Sequence, residues 1–141
     1  MTTNAFSQAV AGASLAAITA AIGANAQFDI YGGTVPADSG ASTAANTLLM
    51  SGTISSWGTP TYSSGLGAMV SDAVFSASSY GTIASGTATF AKTSTSGSVG
   101  VRLSTVTATG GGGEVQVGNI NFQTGVNETP VMSISIPCDA V

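Results

Sequence analysis

Charge is scarce in this chain and histidine is absent. Only 6% of its 141 residues are charged, against roughly a quarter in an ordinary soluble domain. The two basic residues are Lys92 and Arg102. Two cations cannot neutralise a row of phosphates, so nucleic-acid binding is excluded as a role. Without histidine the chain lacks the usual general base and the commonest metal ligand. A single cysteine, Cys138, forms neither an internal disulfide nor a cysteine-rich zinc site. It reads as a small, inert filler at a strand end, and a lone thiol fits assembly in a reducing compartment.

The six carboxylates, Asp29, Asp38, Asp72, Glu114, Glu128 and Asp139, stand singly, with no Asp-x-Asp spacing that would suit calcium. They read as solvated or turn residues, Asp38 as the centre of an Asx turn between Pro36 and Gly40. Glycines 110–113 are not followed by Lys-Ser/Thr, so they read as a flexible link between strands and not as a phosphate loop. Asn127-Glu128-Thr129 matches a glycosylation acceptor, but Pro130 follows directly and the match reads as coincidence. No catalytic residue, metal site or cofactor is expected.

What the chain does have is 39 serines and threonines, 19 glycines, 43% hydrophobic residues and a mean hydropathy of +0.40. Disordered chains combine low hydrophobicity with high net charge, so a folded chain is expected, and the length suits one domain over residues 1–141. A monomer normally relies on surface charge for solubility. A nearly neutral, β-prone surface suits a protein whose normal state is assembled.

Residues 4–22 read as a helix. Phe6, Val10, Ala13, Ala17 and Ala21 recur at spacings of three and four, with Leu15, Ile18 and Ile22 as a second stripe. Thr2, Thr3 and Asn4 offer caps, and Gly23 offers a stop. The apolar run 10–22 ahead of Ala24-Asn25-Ala26 also has the outline of a signal peptide, but no Lys or Arg precedes it, so a retained helix is the preferred reading. The run is too short and broken for a membrane span.

From Ala26 the period becomes two. Strands are expected over 26–31, 47–54, 68–75, 85–93, 98–107, 114–122 and 131–136. Residues 34–46 read as a loop and 57–67 as a turn-rich connection. In 85–93, Ala88, Phe90 and Lys92 are placed on one face and Thr87, Thr89 and Ala91 on the other. Pro130 and Pro137 bracket the last strand and suggest an edge position. One helix followed by short strands with turn signals predicts a mainly β domain over 26–137, an antiparallel sandwich or jelly roll. Such strands would leave edges to cover.

Several segments carry a resemblance. They are Leu15-Ala16-Ala17-Ile18-Thr19-Ala20-Ala21-Ile22, then Tyr31-Gly32-Gly33-Thr34-Val35-Pro36-Ala37, then Thr47-Leu48-Leu49. Ala84-Ser85-Gly86-Thr87-Ala88-Thr89-Phe90-Ala91-Lys92 and Gly97-Ser98-Val99-Gly100 follow. In this order they resemble a group of small tailed-bacteriophage virion proteins; the Arg common in that group is Lys92 here. The resemblance implies a virion structural component assembled in a bacterial cytoplasm.

The expected role is a non-enzymatic capsid decoration or cement subunit, with the major capsid protein or other virion subunits as partners. A homo-oligomer, a trimer first, is expected, with no nucleic acid and no membrane. The alternatives are a neck, tail or fibre-attachment component, and a secreted adhesin or carbohydrate-binding module. Interaction residues are expected at Phe6, Val10 and Ile18 on the helix and at the loop aromatics Trp57, Tyr62 and Tyr80.

Purified protein is expected to carry no stoichiometric metal and to show no hydrolase, transferase or redox activity. Elemental analysis and a turnover lost on changing one carboxylate are the measurements that would show otherwise.

Overall fold

The computed structural model describes residues 6–140. The fold is mainly β with one helix: α1 (Gln8–Ile22), β1 (Ala26–Gly32), β2 (Thr47–Trp57), β3 (Thr61–Ser63), β4 (Ala68–Phe75), β5 (Tyr80–Gly81), β6 (Gly86–Ser94), β7 (Gly100–Ala108), β8 (Val115–Val117), β9 (Asn121–Phe122), β10 (Asn127–Glu128) and β11 (Val131–Pro137).

Seven strands close into a ring in the order β1-β2-β4-β11-β8-β7-β6, and β6 pairs back onto β1. All pairings in the ring are antiparallel except β7–β8. This closed barrel takes the place of the expected two-layer sandwich or jelly roll. β1 causes the difference: residues 27–32 pair with β2 on one side and β6 on the other, so no seam is left to divide the strands into two sheets. β3, β9 and the β5–β10 pair are added outside the ring. Each is two or three residues long, and β8 covers only residues 106–108 of β7, so among the described residues the side of β7 100–105 away from β6 has no paired strand. β11 is bracketed by its prolines yet lies between β4 and β8 and is not an edge.

The interior is filled by Phe28, Ile30, Leu49, Met50, Ile54, Val115, Val117, Met132 and Ile134. Phe28 meets Phe75 edge-on at 5.0 Å. Leu15 and Ile22 of α1 belong to the same buried cluster, so the helix shares the barrel's core. It packs on β4 and β11.

The helix is shorter than the expected 4–22. Ser7 caps it, its Oγ accepting from Val10 N at 3.3 Å, and Gly23 ends it at φ 81°. Phe6 is outside the helix and forms a parallel bridge with Cys138, with Asp139 N donating to Phe6 O at 2.8 Å. The expected caps Thr2, Thr3 and Asn4 lie outside the described residues. The buried stripe is Ala11, Leu15, Thr19 and Ile22. The stripe of Val10, Ala13, Ala17 and Ala21 faces outward. Burying Leu15 and Ile22 removes more apolar area than burying alanines, which decides the rotation. Thr19 joins the inner face because its hydroxyl is satisfied by Ala16 O at 3.1 Å.

A register shift between Tyr31 and Gly32 alters the expected faces of β6. Ala91, opposite Ile30, and Ala88 both enter the core, while Phe90 pairs with Tyr31 on the outer face and Lys92 with Asp29. The expected single strand 114–122 is split into β8 and β9, because β8 pairs with β7 and β11 while β9 crosses to β6. Trp57 ends β2, and part of the expected 57–67 connection is β3.

The link 109–114 is not slack. Parallel neighbours normally need a crossover of a dozen or more residues, yet β7 and β8 are joined by these six. The chain turns back on itself after Ala108, with Gly111 N donating to Ala108 O and Gly113 N to Thr107 Oγ1. Gly110 and Gly112 take positive φ of 87° and 80°. A Cβ at Gly113 would meet Thr107 Cγ2 at 2.8 Å and Thr105 O at 2.9 Å. The return is therefore possible only for a glycine backbone lying flat on β7.

Replacing Gly113 with valine is expected to cost about 2–3 kcal/mol by overpacking, whereas Gly110→Ala, with open space around it, is expected to cost about 1 kcal/mol for its positive φ alone. Urea unfolding of the two variants beside the parent measures both; equal costs would mean the loop is slack after all.

Candidate interaction surfaces

Helix α1 supplies the first candidate surface. Its solvent side carries no charged residue; the first charge in the chain is Asp29. Phe6, Val10 and Ile18 are 55%, 50% and 38% exposed, with Ala13, Ser14, Ala17 and Ala21 exposed among them. The three helix-region residues singled out in the sequence thus sit on the outside of the folded chain and are available to a partner.

The aromatic candidates do not form a platform. Trp57 closes β2 opposite Ala73 and packs on the core, with Nε1 buried and unpartnered. Tyr62 is half-buried on β3 opposite Met69. Tyr80 lies over Gly52 and meets Phe75 edge-on at 6.2 Å. Its hydroxyl donates to Thr53 O at 3.1 Å and accepts from Ala77 N at 3.1 Å, so it is spent within the chain. Among the described residues none of these three rings stacks on another.

A second surface is the outer wall of β1 and β6. Tyr31 and Phe90 stack there, 5.3 Å apart and 15° from parallel, both buried. The 34–46 loop is tied to this wall, where Lys92 Nζ donates to Ala41 O at 3.0 Å and Asn46 Nδ2 to Gly32 O at 3.2 Å, and to neighbouring β7, where Ser39 Oγ donates to Gly100 O at 3.4 Å. Asp38 forms the expected Asx turn, accepting from Gly40 N at 2.9 Å.

Two carboxylates depart from the expected solvated roles. Asp29 is buried, accepting from Ser51 Oγ at 2.6 Å and Gln27 Nε2 at 2.9 Å. Burial pushes its carboxyl above the ordinary value, against the opposing pull of these hydrogen bonds and of Lys92. Glu114 receives Arg102 in a fork, Nε to Oε1 and Nη2 to Oε2 at 2.6 Å, and Ser104 Oγ adds a bond to Oε1 at 3.1 Å. Glu114 thereby holds the Arg102 guanidinium above its usual range, despite the opposing cost of burial. This pair fastens the end of the glycine return to the start of β7.

A third surface is a groove of about 360 Å³ on the outer wall of β4, β11 and β8, bounded by Leu66 and the glycine return. Nothing in the sequence marked it, because Asp72 and Ser133 meet there across 61 residues, Ser133 Oγ donating to Asp72 Oδ1 at 2.6 Å.

Among the described residues no group of three or more Cys, Asp or Glu is placed to hold a metal, and no helix is long and apolar enough to cross a membrane. No family model, curated protein or solved structure matches the chain.

Because the Asp29 carboxyl is raised in the folded state, folding favours its protonated form. Its contribution is therefore greatest below the unfolded value of 3.8 and is lost as pH rises through the higher folded value. The stability of the parent relative to Asp29→Asn is expected to fall across that window and then level off. Urea midpoints of both proteins from acid to neutral pH measure the difference, in which the other carboxylates cancel.

Proposed function

We propose that this chain is a non-enzymatic structural subunit of a bacteriophage virion, most simply a decoration or cement protein that adds buried area across joints between capsid subunits. The observation that carries the reading is the outward face of α1: a narrow, uncharged helix surface bearing Val10 and Ile18, with Phe6 exposed just ahead of the cap, anchored by a stripe that shares the barrel core. Docking such a face desolvates no charge. Many weak contacts of this kind, repeated by symmetry, become strong through avidity. The order of short segments resembling small virion proteins supports the same reading. The scattered placement of Trp57, Tyr62 and Tyr80 gives no support to a sugar-binding platform.

A homo-oligomer, a trimer first, belongs to this proposal, because a subunit at three-fold positions brings its copies together and closed symmetry satisfies each interface once. The low-charge surface supports it, whereas ring closure already covers both edges of β1.

Val10→Glu and Ile18→Glu change exposed positions and are expected to leave stability within about 0.5 kcal/mol. Both should sharply lower incorporation into particles purified from a host carrying the gene. Copy number by quantitative mass spectrometry reads the outcome. Hundreds of copies in the parent particle fit the shell, a handful fit the neck or tail, and absence from particles overturns the reading. Mass measurement at micromolar concentration tests the trimer. A monomer that also sits singly in the particle overturns that part.

A further inference from the structure

We propose that the groove on the outer wall of β4, β11 and β8 receives the side chain of an arginine or lysine carried by an apolar segment of a partner protein. This goes beyond the virion reading and stands on different residues from the helix face.

The chain carries a net charge of −4, and both of its cations are used internally, Arg102 on Glu114 and Lys92 on Ala41 O. The charged residues left exposed, Asp38, Asp72 and Asp139, are all acidic. Asp38 is occupied in its turn. Asp72 stands beside the groove, bonded to the groove residue Ser133 through one carboxylate oxygen. Among the described residues the ion pair is Arg102–Glu114, and no cation among them neutralises Asp72. Glu114 also lines the groove, but its charge is balanced by Arg102. Asp72 therefore places one unbalanced negative charge at the margin of the groove, next to Ser133, and that charge calls for a single cation.

Shape and hydropathy decide what carries the cation. The groove floor includes Val70 beside Asp72 on β4, a surface for an aliphatic stem. Leu66 and Val131 form the rim and are 68% and 58% exposed. A bare cation would leave both rim residues in water. A basic residue flanked by apolar neighbours covers them and places its head on Asp72.

The test is a titration of isotope-labelled protein with a blocked leucyl-arginyl-leucine peptide, followed by amide chemical shifts. Saturable shifts are expected at Gly112, Gly113, Gln116 and Ser133. The same peptide with norleucine at its centre should bind about three- to tenfold more weakly. Asp72→Asn should lose a similar factor, and Ser135→Phe, which fills the groove, should abolish the shifts. Both positions are exposed, and unchanged spectra elsewhere verify that the variants fold. Three results would overturn the proposal: no saturable shift at the groove, equal binding of the norleucine or a glutamate peptide, or spermidine alone binding as well as the tripeptide.

Discussion

The double pairing of β1 is the constraint on which the rest depends. Asp29 faces Ser51 of β2 on one side and Lys92 of β6 on the other, and the same holds along most of the strand. The pairing of β1 with both β2 and β6 closes the ring at this point and satisfies the backbone of β1 without help from charged edge residues. The double pairing covers both edges of β1 itself. It also fixes what lies inside: alternate residues of β1 enter the core with Phe28 and Ile30, while Asp29 and Tyr31 are forced onto the outer wall. There a polar group and an aromatic ring need cover of their own. The 34–46 loop lies over that wall, with Lys92 reaching Ala41 O.

The two cations are both used inside the chain. Lys92 ties down a loop with no secondary structure of its own. Arg102 grips Glu114 at the end of the glycine return, where β7 and β8 run parallel with too short a connection for an ordinary crossover. Each is half-buried and bonded inside the chain, so the outer surface is left to small polar groups, exposed valines and acids. The surface is consequently asymmetric: an uncharged helix on one element and an acidic groove on another, both available for contact.

Local pattern and long-range pairing were legible in the sequence to different degrees. Strand 68–75 was placed at its observed bounds, and 26–31 within one residue, because alternation and flanking glycines are local signals. The helix was legible, but its start and its inward stripe were not. Phe6 looked helical by spacing and instead bridges Cys138, a partner 132 residues away. The faces of β6 were misassigned at a bulge, which a strict period of two cannot register. Glycines 110–113 looked like slack chain because composition does not distinguish flexibility from close packing; the contact with Thr107 does. Trp57, Tyr62 and Tyr80 stand among turn residues in the sequence, yet each lies in a strand. Asp72 and Ser133 carried no signal at all, since neither residue nor spacing marks a groove made by β4 meeting β11.

Ring closure also sets the order in which the chain can fold. The β1–β6 pairing joins Gln27 to Ser94, and the bridge at the ends joins Phe6 to Cys138. Folds dominated by such distant pairings form on the millisecond-to-second scale, because loop entropy is lost before the contacts repay it. Until β6 arrives, β1 presents an open, nearly uncharged edge to every other copy in the cell. The same absence of charge that favours docking in the finished barrel therefore makes the unfinished one prone to pair with its neighbours, and the rate of closure, more than final stability, governs how much protein escapes that fate.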